Sequence, residues 1–109
     1  MMKLNDVIND SKNEMTYWYK QMEKEETSNN DNKASRIRVC YRNLHYFFNR
    51  IVKILESYRT LSNDDLISKK KLESIEKEVE QFSNDTISIR VDAERLYLKW
   101  KCDDKKVTA

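Results

Sequence analysis

The fold is decided by the longest uninterrupted helical pattern in the chain, residues 34–61, which read ASRIRVCYRNLHYFFNRIVKILESYRTL. Apolar side chains recur there at alternating spacings of three and four residues, as one face of a helix requires. They are Ile37, Cys40, Leu44, Phe47, Ile51, Ile54, Tyr58 and Leu61. The stripe is widened to nearly half of the helix surface by Tyr41, Phe48, Val52 and Leu55. So broad a face has to contact at least two other elements, which predicts a helical bundle.

Composition points the same way. The 109 residues include no glycine and no proline, and 37% are charged. Glycine supplies the positive φ angles of tight turns and of loops that hold phosphate against the backbone. Its absence excludes the glycine-rich phosphate loops and the nucleophile elbow, and it makes sandwiches and barrels poor candidates. The length suits one domain.

Two further helices are predicted on either side of this stretch. Apolar residues from Leu4 to Met22 keep helical spacing and predict a helix over about 5–26, ended by the polar stretch 27–32. Ser62 is a good N-cap, and Asp65 can complete a capping box three residues later. We therefore expect a third helix over about 63–83 that ends at the Ser83-Asn84-Asp85 cluster.

The period changes after Asp85. Ile87, Ile89 and Val91 alternate with polar residues, and a second alternating run extends from Leu96 to Cys102. Period two over two short runs favours a β-hairpin at 86–102, or the start of a small β domain. A fourth helix over 92–101 is the alternative, because Ala93, Leu96, Tyr97 and Trp100 also fit a helical face.

The sequence thus predicts a mainly α protein. It would consist of a three-helix bundle-like domain at 1–85, a C-terminal β-hairpin at 86–102 and a frayed tail at 103–109.

The formal net charge of +2 hides an acidic–basic–acidic alternation along the chain. Residues 34–61 carry six basic side chains against Glu56 alone, whereas 1–33 and 62–86 each hold seven acids. Ion pairing with the neighbouring helices is the favoured role of these basic residues, and phosphate binding is the alternative. The candidates for either role are Arg36, Arg38, Arg42, Arg50 and Lys53.

Residues for catalysis or metal binding are scarce. His45 is the single histidine, and Cys40 and Cys102 form no Cys-x-x-Cys pair. Cys40 and His45 stand five residues apart and do not share a helix face well. The sequence predicts a half-buried or partner-facing His45, a core cysteine and a protein that is not an enzyme and uses no metal or cofactor.

Adjacent aromatic residues give the best functional clue. Tyr17, Trp18 and Tyr19 are consecutive, and neighbouring helix positions diverge by about 100°. One or two of these rings must therefore be exposed or meet another chain. Tyr46, Phe47 and Phe48 raise the same question on the second helix, and aromatic, arginine-containing surfaces are typical of protein interfaces.

The second and third predicted helices also carry a family resemblance. Ser35-Arg36-Ile37-Arg38, followed after eleven residues by Arg50-Ile51-Val52-Lys53-Ile54-Leu55-Glu56, resembles the central helix of GINS subunits. Leu61-Ser62-Asn63-Asp64-Asp65-Leu66 is similar to the L-S-x-E-E start of the helix that follows in that family. The resemblance implies a helical domain first and a small β domain last.

A GINS-like role would be that of a non-enzymatic scaffold in DNA replication. GINS subunits assemble through their helical domains into a tetramer that joins the MCM helicase and a Cdc45 or RecJ-like partner. The resemblance implies protein-interface anchors at Tyr17, Trp18, Tyr46 and Phe48 and ion pairs at Arg38 and Arg50.

The leading hypothesis is therefore an interaction subunit of a homo- or hetero-oligomeric assembly. The alternatives are a small nucleic-acid-binding protein that uses the basic second helix, and a viral inhibitor that binds one host protein. The two lone thiols and the lack of a long apolar run favour an intracellular protein without a membrane role, in the cytoplasm or, in a eukaryote, the nucleus.

Overall fold

The computed structural model describes the backbone of residues 3–108 and the side chains of residues 3–101. Three helices account for nearly all of it: α1 (Leu4–Glu26), α2 (Lys33–Asn63) and α3 (Lys69–Thr108). No strand occurs within residues 3–108. The predicted three-helix bundle is confirmed, and the first two helices begin and end within two residues of the predicted bounds.

Ion pairs between the helices show their relative directions. Asp10 Oδ2 of α1 lies 3.2 Å from Arg50 Nη1 of α2, and Glu25 Oε2 lies 3.6 Å from Arg36 Nη1, so these two helices are antiparallel. Helix α3 runs parallel to α1. The Lys12–Asp85 pair at 2.8 Å and the Glu26–Lys99 pair at 2.9 Å are both offset by 73 residues. The bundle measures 54 × 25 × 23 Å.

The core lies along the central axis and draws on all three helices. Met15 and Met22 of α1, Leu44 and Ile51 of α2 and Phe82 of α3 are essentially inaccessible. Each such side chain contributes about 1.5–3 kcal/mol through burial. The predicted apolar stripes of the three helices face this axis. The remaining buried hydrophobic residues are Val7, Ile8, Ile37, Cys40, Leu55, Ile75, Val79 and Ala93.

The predicted β-hairpin is wrong, because α3 continues through residues 86–102. Ala93 is fully buried where the prediction placed a turn, and Ile89 and Trp100 pack against the core. The two-residue alternation coincided with a helical stripe in which Ile89, Ala93, Leu96 and Trp100 recur at spacings of three and four. The side chains of Cys102 and of the predicted tail, 103–109, lie outside the described residues.

The polar cluster at residues 83–85 does not end the third helix, and its Ser83 and Asp85 side chains form hydrogen bonds and an ion pair with other side chains. Asp85 pairs with Lys12 of α1 at 2.8 Å. Ser83 accepts two hydrogen bonds from Arg90 Nη2, through its carbonyl oxygen at 2.8 Å and its hydroxyl at 3.1 Å. The Thr86 hydroxyl donates to the Phe82 carbonyl at 2.9 Å. The Ser83 hydroxyl and the Asp85 carboxylate could end a helix by competing for its backbone groups, but both are engaged by basic side chains.

The predicted capping box at Ser62 is also wrong, because Ser62 lies in the last turn of α2. Asp65 takes a left-handed conformation with φ 58°, and two backbone bonds close the helix around it. Its N–H donates to the Ser62 carbonyl at 3.1 Å, and the Leu66 N–H donates to the Leu61 carbonyl at 2.8 Å. This is a Schellman motif, in which glycine normally holds the left-handed position. Helix α3 starts later, with the Ser68 hydroxyl accepting from the Lys71 N–H at 3.1 Å.

Replacing Asp65 by glycine should stabilise the protein. A side chain with a Cβ costs about 1–2 kcal/mol in the left-handed region, and glycine removes that cost while adding some freedom to the unfolded chain. We expect Asp65→Gly to raise the free energy of unfolding by about 0.5–1 kcal/mol in urea titrations followed by circular dichroism. The neighbour Asp64, with φ −88°, is the control, and Asp64→Gly should destabilise. Destabilisation by Asp65→Gly would contradict this account of the turn.

The continuity of α3 can be tested at Ala93. The residue is fully buried, so Ala93→Leu should overpack the core and lower the free energy of unfolding by about 1–3 kcal/mol. The exposed neighbour provides the control, since Glu94→Leu should change stability by no more than about 0.5 kcal/mol. Equal stabilities for the two variants would place Ala93 in an exposed turn instead.

Candidate protein interface

Tyr17, Trp18 and Tyr46, three of the four aromatic residues proposed as interface anchors, lie on the side of the bundle where α1 packs against α2. Trp18 is half-buried, and Tyr17 meets its ring edge-on at 5.0 Å between centroids while keeping 51% of its own surface exposed. Tyr46 on α2 is 63% exposed. It borders a shallow depression with Arg50, whose guanidinium pairs with Asp10 of α1.

A groove of about 300 Å³ opens between α1 and α2 beside these rings. We name it the aromatic groove; it is lined by Trp18, Gln21, Glu25, Ser35, Arg36, Val39 and Cys40. The indole of Trp18 and the side chain of Val39, which is 48% exposed, give it apolar walls. Tyr17 precedes Gln21 by one helical turn and therefore lies at the edge of the aromatic groove.

Two buried polar atoms, on residues that line the aromatic groove, have no hydrogen-bond partner among the described residues. They are Trp18 Nε1, a donor, and Glu25 Oε1, an acceptor, and both are inaccessible. The other oxygen of Glu25 pairs with Arg36 Nη1 at 3.6 Å. An unsatisfied buried polar atom costs about 1–3 kcal/mol, so the folded chain carries a cost here that its own contacts do not offset.

Phe48, the fourth proposed anchor, lies elsewhere. Its ring stacks on Phe82 of α3 at 5.7 Å between centroids, and the Arg90 guanidinium carbon lies 4.2 Å from its ring centroid. Phe48 therefore joins α2 to α3 and does not contribute to the aromatic groove.

The basic residues of α2 differ in whether they form ion pairs with acids of the neighbouring helices. Arg36 and Arg50 pair with acids of α1, and Arg59 lies 3.1 Å from Glu76 of α3. These pairs bridge neighbouring helices, although exposed pairs of this kind each contribute only about 0–1 kcal/mol. Arg42 and Lys53 are exposed, and neither forms an ion pair with a described residue. Arg38 is half-buried and has contacts of its own.

Cys40 and His45, the residues best suited to nucleophilic or acid–base chemistry, are both at least half-buried. Burial raises the pKa of the Cys40 thiol, with Glu25 adding to the effect, so the reactive thiolate is disfavoured. His45 is half-buried and meets the Tyr41 ring edge-on at 4.5 Å. Burial lowers the pKa of His45, with Arg90 acting in the same direction and Glu94 in the opposite one.

Sequence reasoning missed the part played by Gln21, Glu25 and Val39. Gln21 and Glu25 follow Trp18 at spacings of three and seven, which is a signal for a shared helix face. Val39 gave no such signal, because only the packing of α1 against α2 places it opposite Trp18. The network of Arg90 with Ser83 and Thr86 was also missed, since those residues were assigned to a helix end and a hairpin.

Among the described residues, no group of three or more His, Cys, Asp or Glu side chains is arranged to hold a metal ion. Nor does any described helix combine the length and the apolar character needed to cross a membrane.

His45 should make stability depend on pH. Its folded pKa lies below the ordinary 6.5, so the unfolded chain takes up a proton first as pH falls. Stability is then complete above about pH 6.5 and declines as pH falls from there towards the folded pKa. His45→Gln should remove most of the difference between urea unfolding at about pH 7.5 and about pH 5.5.

This pH window isolates His45 well, because it is the only histidine and the pKa values of Glu26 and Asp85 are lowered further by their lysine partners. An unchanged pH slope in His45→Gln would show that the imidazole is not the group responsible.

Comparison with known proteins adds no relative. No protein-family model matches the chain, and no curated protein or solved structure matches it. What the protein does therefore has to follow from the chemistry of its own surface.

Proposed function

We propose that this protein is a non-enzymatic interaction module that binds another protein through the aromatic groove. The observation that carries the proposal is the pair of unpartnered buried atoms, Trp18 Nε1 and Glu25 Oε1, in the walls of an apolar groove between two helices. A partner group that entered the groove would satisfy this donor and this acceptor, and the gain would appear as binding free energy.

The surroundings of the groove support a protein as the ligand. Tyr17 and Val39 expose about half of their surfaces next to Trp18, and Arg36 and Glu25 add charged groups at the edge. Aromatic residues and arginine are enriched in protein interfaces and among the residues that contribute most to binding. Because both unpartnered atoms are inaccessible, pairing them requires a change of side-chain rotamer, which is common when proteins bind.

The proposal names no particular complex. The sequence resemblance of α2 and the turn after it supports one specific hypothesis. In it the protein is a GINS-like scaffold in DNA replication, with the MCM helicase and a Cdc45 or RecJ-like partner. Residues 86–102, which that resemblance assigns to a β domain, lie in α3. We therefore propose protein docking as the function. The GINS-like role is a more specific form of this proposal, and the sequence motifs alone support it.

Charge placed at the groove should abolish binding. We expect Tyr17→Asp combined with Val39→Asp to lose partner capture from a cell extract by at least about tenfold, because a carboxylate cannot enter an apolar interface unpaired. The matched control is Leu66→Asp in the α2–α3 turn, where leucine is 68% exposed and away from the groove. Captured proteins would be quantified by mass spectrometry for the wild type, the double variant and the control.

The comparison of captured proteins among the three chains decides whether the aromatic groove is the docking site. A protein retained by the wild type and by Leu66→Asp, but lost with the double variant, supports docking at the aromatic groove. Identical capture by all three chains would contradict it. Light scattering at increasing concentration tests the homo-oligomeric form, and there self-association should disappear in the same double variant.

A further inference from the structure

We propose that the outer face between α2 and α3 is a second docking surface, and that its ligand is an acidic amphipathic helix of a partner protein. The surface combines an apolar row on α3 with exposed cations on α2, and we name it the basic–apolar face. Its members are Arg42, Asn49 and Lys53 of α2 with Ile87, Val91 and Leu98 of α3. None of them lines the aromatic groove, so the proposal does not rest on the function proposed above.

The apolar half is a row of three exposed aliphatic side chains. Ile87 is 52%, Val91 41% and Leu98 48% exposed. Spacings of four and seven residues put them on one side of α3, about 16 Å from end to end. Helix α3 already buries a separate stripe that includes Phe82 and Ala93. A second apolar row on a helix whose core face is occupied marks a surface that the described residues leave exposed.

The basic half lies at the same level of the bundle. Tyr41 stacks on Tyr97 at 4.3 Å between centroids, and Phe48 lies beneath Arg90, which fixes the register of the antiparallel α2 and α3. This register places Leu98 near the level of Arg42 and Ile87 near that of Lys53.

Among the described residues, the positive charge on this face is in excess. Arg42 and Lys53 are exposed and form no ion pair with a described residue. Arg90 donates to Ser83 and Thr86 and forms no ion pair within the described residues. Lys101 lies 5.8 Å from the Tyr97 ring centroid.

Glu94 and Glu56, which stands three residues after Lys53 on α2, are exposed and bring two carboxylates to the same region, against four cations: Arg42, Lys53, Arg90 and Lys101. On the opposite side of α2, by contrast, Arg36 and Arg50 already have acidic partners. Charge complementarity therefore favours an acidic ligand at the basic–apolar face.

The form of the ligand follows from the apolar row. A partner helix with apolar residues at the same spacings would cover Ile87, Val91 and Leu98, and acidic residues on its flank would reach Arg42 and Lys53. A separate space of about 330 Å³ lies between α2 and α3, and its walls include Phe48, Val52, Val79 and Phe82 together with the acids Glu76 and Glu80.

Nucleic acid suits this face less well. Its exposed apolar residues are aliphatic and offer no ring on which a base could stack. Tyr41 and Tyr97 stack on each other at 4.3 Å, and the one exposed ring that borders Asn49 and Lys53 among the described residues is Tyr46, which shares a depression with them.

The probe for the test is a fluorescein-labelled synthetic peptide of about 18 residues, with leucine at helical positions i, i+4, i+7 and i+11 and mostly glutamate elsewhere. Binding to the full chain would be followed by fluorescence anisotropy. One control peptide has the same composition with the leucines scattered around the helix, and another has lysine in place of glutamate. We expect only the first peptide to bind, and its affinity to fall as salt rises from about 0.05 M to about 0.5 M.

Two double variants separate the two halves of the face. Val91→Glu with Leu98→Glu should weaken peptide binding by at least about tenfold, and so should Arg42→Glu with Lys53→Glu. The matched control is Lys20→Glu, an exposed charge reversal on the surface of α1. All these positions are exposed, so circular dichroism should show unchanged helix content in each variant.

Each contrary result would overturn the proposal. It fails if the peptide does not bind, if the scattered peptide binds equally well, or if neither double variant weakens binding. It also fails if phosphatidylserine vesicles or single-stranded RNA bind more tightly than the peptide and lose that binding in Arg42→Glu with Lys53→Glu, because the face would then serve a membrane or a nucleic acid.

Discussion

The apolar face of α2 is the constraint on which the rest of the structure depends. Ile37, Leu44 and Ile51 are inaccessible to solvent, and a single neighbouring helix could not cover so wide a stripe. Helix α1 covers one edge and α3 the other, so α2 is the middle of the bundle and contacts both. Because the long stripe needs cover along its length, α3 continues as one helix beside α1 and α2 instead of stopping at residue 83.

Charge refines an arrangement that apolar burial sets. The ion pairs of Arg36 and Arg50 with α1 and of Arg59 with α3 lie at the borders of the buried stripe, where they match the helices in register. Exposed pairs contribute little free energy individually, so they act mainly by disfavouring other registers. Arg42 and Lys53, which form no ion pair with a described residue, lie on the outer side of α2, which α1 and α3 leave exposed.

The two proposed surfaces have different physical origins. The aromatic groove holds groups that the fold encloses without satisfying, namely the indole N–H of Trp18 and one carboxylate oxygen of Glu25. The basic–apolar face holds groups that the fold leaves in water although they are apolar, such as Ile87 and Leu98. Both raise the free energy of the isolated chain, and both would be relieved by a partner. A module with two such surfaces could hold two proteins together.

The sequence by itself determined the helical class, the span of the first two helices and the buried stripes, because these depend on local periodicity. It also required at least one ring of the Tyr17-Trp18-Tyr19 run to be exposed or to meet another chain, since consecutive helix positions diverge too far for all three to be buried, and Tyr17 is 51% exposed. Only the tertiary structure decided the course of residues 83–102. Lys12 engages Asp85 and the close approach of the helices buries Ala93, both through contacts distant in sequence, while Arg90 bonds to Ser83 seven residues away within α3. It also decided that Val39 faces Trp18 and that Phe48 does not, because the side of a helix that meets a neighbour is set by packing between helices, which local pattern cannot express.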